Sequence, residues 1–244
     1  VDEVPLEMRW EFRCRSKSGH SQRTFSFVSE KDWRLKVDVR RRRLSEQPAP
    51  VMLVLRSYDE NRKASEGFIS GLNKDWNIAY LETRGIGETS WSPALQWHLR
   101  RAAAWTGRTI ASMRVYDVLR CLRALRTLPG VRSDRIGIAA RGEMCAIALY
   151  AALLDGNISA VVLRDPPATQ NAPSNTDGRG ETIEMLNCLR ITDLPQVAGL
   201  LCPKNIVIIG TMPSSYQWAK DLYNKLKAED TFQNVKKISD WGTN

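Results

Sequence analysis

RIGIAARGEMCAIALYAALL, residues 135–154, decides the fold of this chain. Residues 135–140 form a short apolar run, which reads as a strand covered on both faces. Residues Met144 to Leu154 are apolar nearly all round at helical length, so this helix must lie beneath other layers. Between them stand only Arg141, Gly142 and Glu143, which makes the connection a tight strand-to-helix turn.

Working outward, the chain repeats the same alternation. Residues 51–56 (VMLVLR) form an apolar strand-like run after Pro48 and Pro50, followed by a helix-length segment at 62–73 and a second run, NIAYLE, at 77–82. A long stretch then leads to a helix near 112–128, where Val115, Val118, Leu119, Leu122 and Leu125 recur at helical spacing with Arg120, Arg123 and Arg126 between them. Pro129 and Gly130 stop it. Beyond residue 154 come ISAVVL at 158–163, a polar loop from Ala168 to Gly180, a helical region near 181–201, NIVIIG at 205–210, a helix at 215–227 and a last strand, NVKKIS, at 234–239. Strands and helices alternating in this way predict a doubly wound, mostly parallel sheet with right-handed crossovers. The start differs. Residues 7–16 and 24–41 alternate apolar and polar residues with interruptions, which predicts an antiparallel meander with one wet face.

With 244 residues, 43% of them hydrophobic and 26% charged, the chain reads as one domain, an antiparallel meander over 1–46 and an alternating core over 47–244. It begins at Val1, so a piece of a longer protein is an open reading, and the compartment is not legible. The mean hydropathy of −0.36 and the lack of a long uncharged apolar run speak against a membrane span. Cys14, Cys121, Cys145, Cys188 and Cys202 are widely spaced, with only His20 and His98 as nitrogen partners. That pattern predicts buried free thiols and neither a metal site nor a cofactor. Net charge is +9, and Arg40 to Arg43 form a basic run between a strand and the turn at 45–50. It reads as a solvated strand end, and no nucleic-acid-binding motif accompanies it.

Two phosphate-binding readings share this alternation. Arg84-Gly85-Ile86-Gly87-Glu88-Thr89 supplies only G-x-G and follows the second strand of the alternating region, and no Walker-type loop occurs. The segment 135–154 instead resembles the nucleophile elbow of α/β-hydrolases, which places Ala140-Arg141-Gly142-Glu143-Met144 on the five elbow positions. ETRGIGET at 82–89 resembles the R-G-x-G loop of the acetyl xylan esterase and dienelactone hydrolase branches, and Asp117 and Arg120 resemble residues of the helix before the elbow there.

That resemblance implies a Ser, Asp or Glu, and His triad in chain order, and this sequence departs from it. Gly142 stands at the nucleophile position; a register shift of two places Ala140 or Met144 there. Residues 228–244 hold no histidine for the base. The usual acid position after NIVIIG holds Thr211, Met212 and Pro213, while Asp165, after ISAVVLR, occupies the alternative acid position. Asp165 also suits a turn into Pro166-Pro167.

Glu143 is the remaining carboxylate at the turn, placed either to meet a cation or sugar hydroxyl or to complete the helix start. Arg84, Gly85, Arg141, Gly142, Glu143, Asp165 and Met212 are therefore the expected pocket residues. The chain is expected to be an acetyl xylan esterase-like domain without a recognisable triad, non-hydrolytic or accessory. Two rivals stay open: an ester hydrolase using Ser112, Cys145 or water activated by Glu143, and a polysaccharide- or protein-binding module using Trp91, Trp97 and Trp105. The expected partners are a carbohydrate ester or other domains of a larger protein, with neither nucleic acid nor membrane.

Overall fold

The computed structural model describes residues 4–15, 21–41, 47–57, 67–172 and 182–242. His20, Arg42 and Arg43 of the basic run, residues 58–66 and most of the polar loop lie outside them.

Nine strands form one sheet: β1(Arg9–Arg15), β2(Ser21–Glu30), β3(Trp33–Arg41), β4(Ala49–Leu55), β5(Asn77–Leu81), β6(Val131–Arg141), β7(Ala160–Arg164), β8(Asn205–Ile209) and β9(Phe232–Val235). Their order is β1-β2-β3-β5-β4-β6-β7-β8-β9. Strands β1, β2, β3 and β5 pair antiparallel in turn, and every pairing from β5 through β4 to β9 is parallel. The meander and the doubly wound core are thus both present. Strand β4 leads to β5 on one side and β6 leads to β7 on the other, so the connections diverge between β4 and β6. In open α/β sheets ligands bind at such a divergence, outside the carboxyl ends of the strands.

The helices are α1(Pro93–Trp105), α2(Ile110–Arg126), α3(Met144–Asp155), α4(Leu194–Leu200) and α5(Gln217–Lys225). Helix α3 is buried continuously from Met144 to Ala152, as its apolar sequence requires. It packs with α2 against one face of the sheet, where Phe27, Val37, Leu53, Leu81, Ile138 and Val161 point. The opposite face carries Met52, Val54, Tyr80, Val162 and Val207 with Ile69, Trp76 and Trp241. The alternation of side chains along each strand assigns these two sets to opposite sides.

Several sequence expectations need correction. Residues 24–41 of the expected meander divide between β2 and β3, which turn at Lys31 and Asp32, where Asp32 takes a left-handed φ of 62°. Residues 93–105 are a helix that the hydrophobic pattern does not reveal, because Ala103 is its one residue recorded as buried. Its start was nonetheless legible: the Ser92 side chain accepts a hydrogen bond from the Leu95 N–H, and Pro93 opens the first turn. The helical region near 181–201 contracts to 194–200, and the last strand runs over 232–235, with Ile238–Asp240 forming a short turn of 3-10 helix instead. Of the helix-length segment at 62–73, only residues from 67 onward are described: Gly67 and Phe68 are helical, and a turn follows at 69–71. Cys121 and Cys145 are buried thiols, but Cys14 is exposed.

Candidate functional site

A tight turn joins β6 to α3, with Gly142 at its centre. Gly142 has a left-handed φ of 56°. Its N–H donates to the Arg164 carbonyl at 2.9 Å, and its carbonyl accepts from the Cys145 N–H at 3.0 Å. The backbone therefore holds the central residue at the mouth between β6 and β7. A Cβ built on Gly142 meets nothing within 4 Å, so no neighbouring atom excludes a side chain there.

Arg141 and Asp165 both reach this mouth. The Asp165 carboxylate lies 3.7 Å from Nε of Arg141 and 3.5 Å from Nε of Arg164, with all three side chains roughly half exposed. Pairs this open contribute only about 0–1 kcal/mol each. Asp165 itself has a left-handed φ of 50°, and its carboxylate comes within 3.8 Å of a Cβ built on Gly210 at the end of β8.

Glu143 faces the other way. Its carboxylate accepts from Nη1 of Arg114 at 3.3 Å and from the Thr182 N–H at 3.0 Å, and it makes no capping hydrogen bond to α3. Arg114 is buried, donating also to the Thr182 hydroxyl at 2.9 Å and to the Arg84 carbonyl at 3.2 Å. Burial lowers the Arg114 pKa and Glu143 opposes that shift. The Glu143 carboxylate is thus bonded to a guanidinium on one side and a backbone donor on the other. Both sequence roles for Glu143, a free ligand and a helix-start cap, give way to a clasp joining α2, α3 and the segment at 182.

Arg84 is likewise committed. It chelates the fully buried Asp117 through Nε at 2.9 Å and Nη2 at 2.5 Å, and Nη1 reaches Glu30 at 2.6 Å. Burial works against its charge, but Asp117 and Glu30 more than offset this and raise its pKa. Gly85 has φ 77° and lies against the Trp91 ring, where a Cβ would approach to 2.3 Å. Met212 is half-buried and packs on the core that holds α3. Of the seven expected pocket residues, then, Arg141, Gly142 and Asp165 gather at the mouth, while Arg84 and Glu143 hold the frame around it.

The other nucleophile and base candidates sit poorly for chemistry. The Ser112 hydroxyl accepts from the Thr109 N–H at 2.9 Å and donates to the Thr109 carbonyl at 2.9 Å, closing a capping box at the start of α2. Cys145 is fully buried, its thiol 3.4 Å from the Arg164 carbonyl. His98 is an exposed residue of α1, and the residues after β9 include no histidine. Among the described residues there is no group of three or more His, Cys, Asp or Glu able to hold a metal ion.

Three residues passed over by the sequence reading take part in the contacts around these strand ends. Ser57, just past β4, donates from its hydroxyl to the Arg141 carbonyl at 3.1 Å and so bridges the two strand ends. Arg56 donates from Nη1 to Glu82 at 2.6 Å and lies over the Tyr80 ring at 5.1 Å. It is a charged residue ending an apolar run, the one signal that could have singled it out. Arg56 lines a groove of about 900 Å³ across the meander, where Glu11, Thr24, Lys36, Asp38 and Glu88 also stand. The third is Arg114. Of the tryptophans, Trp76 is buried against Trp241 at 6.1 Å, whereas Trp97 and Trp105 are exposed along α1.

No protein-family model matches the chain, and no curated protein does. Solved structures do. A Bacteroides fragilis protein assigned as an acetyl xylan esterase superposes with a TM-score of 0.78 at 16% identity, over 98% of this chain and 72% of that one. Acetyl xylan esterase 1 from a Thermoanaerobacterium species gives 0.68 at 15% identity, over 96% and 81%. A glucuronoyl esterase from Solibacter usitatus gives 0.68 at 10% identity, over 99% and 84%. The chain has the α/β-hydrolase fold, and its likeness to these esterases is one of fold.

Proposed function

We propose that this is an acetyl xylan esterase-like domain that lacks a working Ser-His-Asp triad and serves a non-hydrolytic or accessory role, with a carbohydrate ester or other domains of a larger protein as its partners. The observation that carries the reading is the elbow itself: the turn is intact, and its central residue is Gly142, which has no group to attack an acyl carbon. The commitments of Glu143, Ser112 and Cys145 support it further, since none is free to replace a serine.

The test is hydrolysis of a nitrophenyl acetate by the purified chain. The expected rate equals that of buffer. Turnover that disappears in Glu143→Gln or Asp165→Asn would overturn the proposal.

A second reading has one observation in its favour. Trp97 and Trp105 are 36% and 84% exposed, and Arg101 lies over the Trp97 ring at 5.3 Å. Eight residues of helix set their Cα atoms about 12 Å apart along the axis. Such a stripe suits a polysaccharide or protein partner. Tryptophan fluorescence that is quenched by acrylamide and protected by a xylan oligosaccharide supports it; quenching without protection by any added saccharide removes the saccharide case.

A further inference from the structure

We propose that the hollow at the amino ends of β4, β5 and β6 is a binding site for a phosphate or sulfate group, held by Arg41, Arg132 and Arg135. The hollow has a volume of about 280 Å³ and is lined by these three arginines together with Asp75, Asn77 and Gly130. Gly142 follows the carboxyl end of β6, so the hollow lies at the other end of the sheet from the elbow. Anion binding and ester turnover are therefore read by separate measurements.

The fold brings the three side chains together from two strands. Arg41 ends β3, whose antiparallel register pairs Arg40 with Ile78 and so sets Arg41 beside the start of β5. Arg132 and Arg135 belong to the first residues of β6. Gly130, with φ 85°, leaves room for the Arg41 guanidinium: a Cβ there would fall 1.9 Å from Nη2. The same Nη2 donates to the Pro129 carbonyl at 2.7 Å. The Arg135 guanidinium lies over the Trp76 ring at 5.4 Å. Both arginines are partly exposed, and neither is paired with a carboxylate among the described residues. Elsewhere the arginines find acids, as Arg84 does in Asp117, Arg100 in Glu184 and Arg126 in Asp155.

The charge around the hollow is positive. Asp75 is the one acid of its lining among the described residues. Asp134, just outside, takes Nε and Nη2 of Arg132 at 3.4 and 2.9 Å and leaves Nη1 over. Beyond Arg41, Arg23 and Arg13 stand opposite each other on β2 and β1. Burial lowers the Arg23 pKa, and the charges of Arg41 and Arg13 lower it further. An anion beside Arg41 relieves this crowding of like charges. A guanidinium presents paired N–H donors to the oxygens of a phosphate. Three of them around one hollow suit the four oxygens of a tetrahedral anion better than the two of a carboxylate. The volume is close to the lower limit of small-molecule sites, about 300 Å³, which admits the free ion or a phosphate monoester of a few carbons.

The experiment follows backbone amide resonances of the isotopically labelled chain during titration with inorganic phosphate, sodium sulfate, glycerol phosphate and sodium acetate, at an ionic strength held constant with sodium chloride. The expected result is a saturable shift at Asn77, Gly130 and Arg135 with phosphate and sulfate, at lower concentration than with acetate. Arg135→Gln should weaken phosphate binding about tenfold, the effect of one lost charge-assisted hydrogen bond. Arg41→Gln gives the same reading should the first variant not fold. Arg190→Gln, which removes an exposed arginine outside the hollow, should leave binding unchanged. Saturation at lower concentration by glycerol phosphate identifies a monoester as the occupant, and by inorganic phosphate the free ion; both uphold the site. Shifts that do not saturate, that acetate matches, that persist at full affinity in Arg135→Gln and Arg41→Gln, or that Arg190→Gln weakens equally overturn the proposal.

Discussion

Gly142 and Gly85 both adopt left-handed backbone, at φ 56° and 77°, but they differ in what surrounds them. Above Gly142 there is room for a side chain, so Gly142→Ala or Gly142→Ser carries only the left-handed penalty of about 1–2 kcal/mol. At Gly85 the Trp91 ring blocks a Cβ, and overpacking adds about 1–3 kcal/mol to that penalty. Urea unfolding should therefore rank Gly85→Ala as the more damaging change, and equal midpoints would refute the steric argument. Gly142→Ser should fold and still fail to release nitrophenol, because the position regains a hydroxyl without gaining a histidine to take its proton. A burst of product from that variant would reveal a base the geometry does not supply. The glycine is legible in the sequence. The fates of Glu143 and Arg84 are not, since a carboxylate beside a turn reads the same whether it faces the mouth or Arg114.

At the scale of elements, α2 is held to the meander by charge as well as by packing. Asp117 joins Arg84 and the Ser29 hydroxyl, Glu30 joins Arg84 and Arg108, and Arg120 donates to the Val4 and Val28 carbonyls. The hydrophobic periodicity of residues 115–125 located the helix with Arg120 between its apolar residues, and Arg120 is buried at 3% exposure. Removing one partner of a buried pair leaves the other uncompensated, so Asp117→Ala should destabilise by about 3–5 kcal/mol in chemical unfolding. A loss below 1 kcal/mol, on the order of an exposed pair, would show that water already reaches the network.

Glu30 gives this network an acid limit. Burial pushes its carboxyl pKa up, but the hydrogen bonds and charges of Arg84 and Arg108 prevail and hold it below its ordinary 4.5. The folded state thus binds its proton less readily than the unfolded chain does. This contribution is complete above the ordinary value and is lost as pH falls through the lowered folded one. Unfolding midpoints should drop with acid in that window, and drop less in Glu30→Gln. A parallel decline in both proteins would locate the acid sensitivity elsewhere. The α2 cap is a smaller matter of the same kind: Thr109→Ala, which removes the acceptor for the Ser112 N–H, should cost about 1 kcal/mol.

Across the whole molecule, protection should follow the order of the sheet. Strands β4, β6 and β7 lie between neighbours on both sides and are buried on both faces, whereas β1 is an edge strand with Trp10 and Phe12 exposed. Hydrogen exchange is expected to be slowest in the first three and fastest in β1. Slow exchange throughout β1 would mean that its open edge is covered in solution.

The sequence by itself determined the layer architecture, the parallel core, the buried helix after β6 and the missing side chain at position 142. These are written in local patterns: apolar runs, helical spacing and a glycine between a strand and a helix. Only the tertiary structure decided which charges face the mouth and which are locked into the frame, that residues 93–105 form a helix with little buried surface, and that Arg56 pairs with Glu82. Those outcomes depend on pairs such as Arg84 with Asp117 or Arg114 with Glu143, drawn from segments far apart in the chain. A charged residue's local pattern is the same whether its partner is water or a distant side chain, so no period in the sequence can encode the difference.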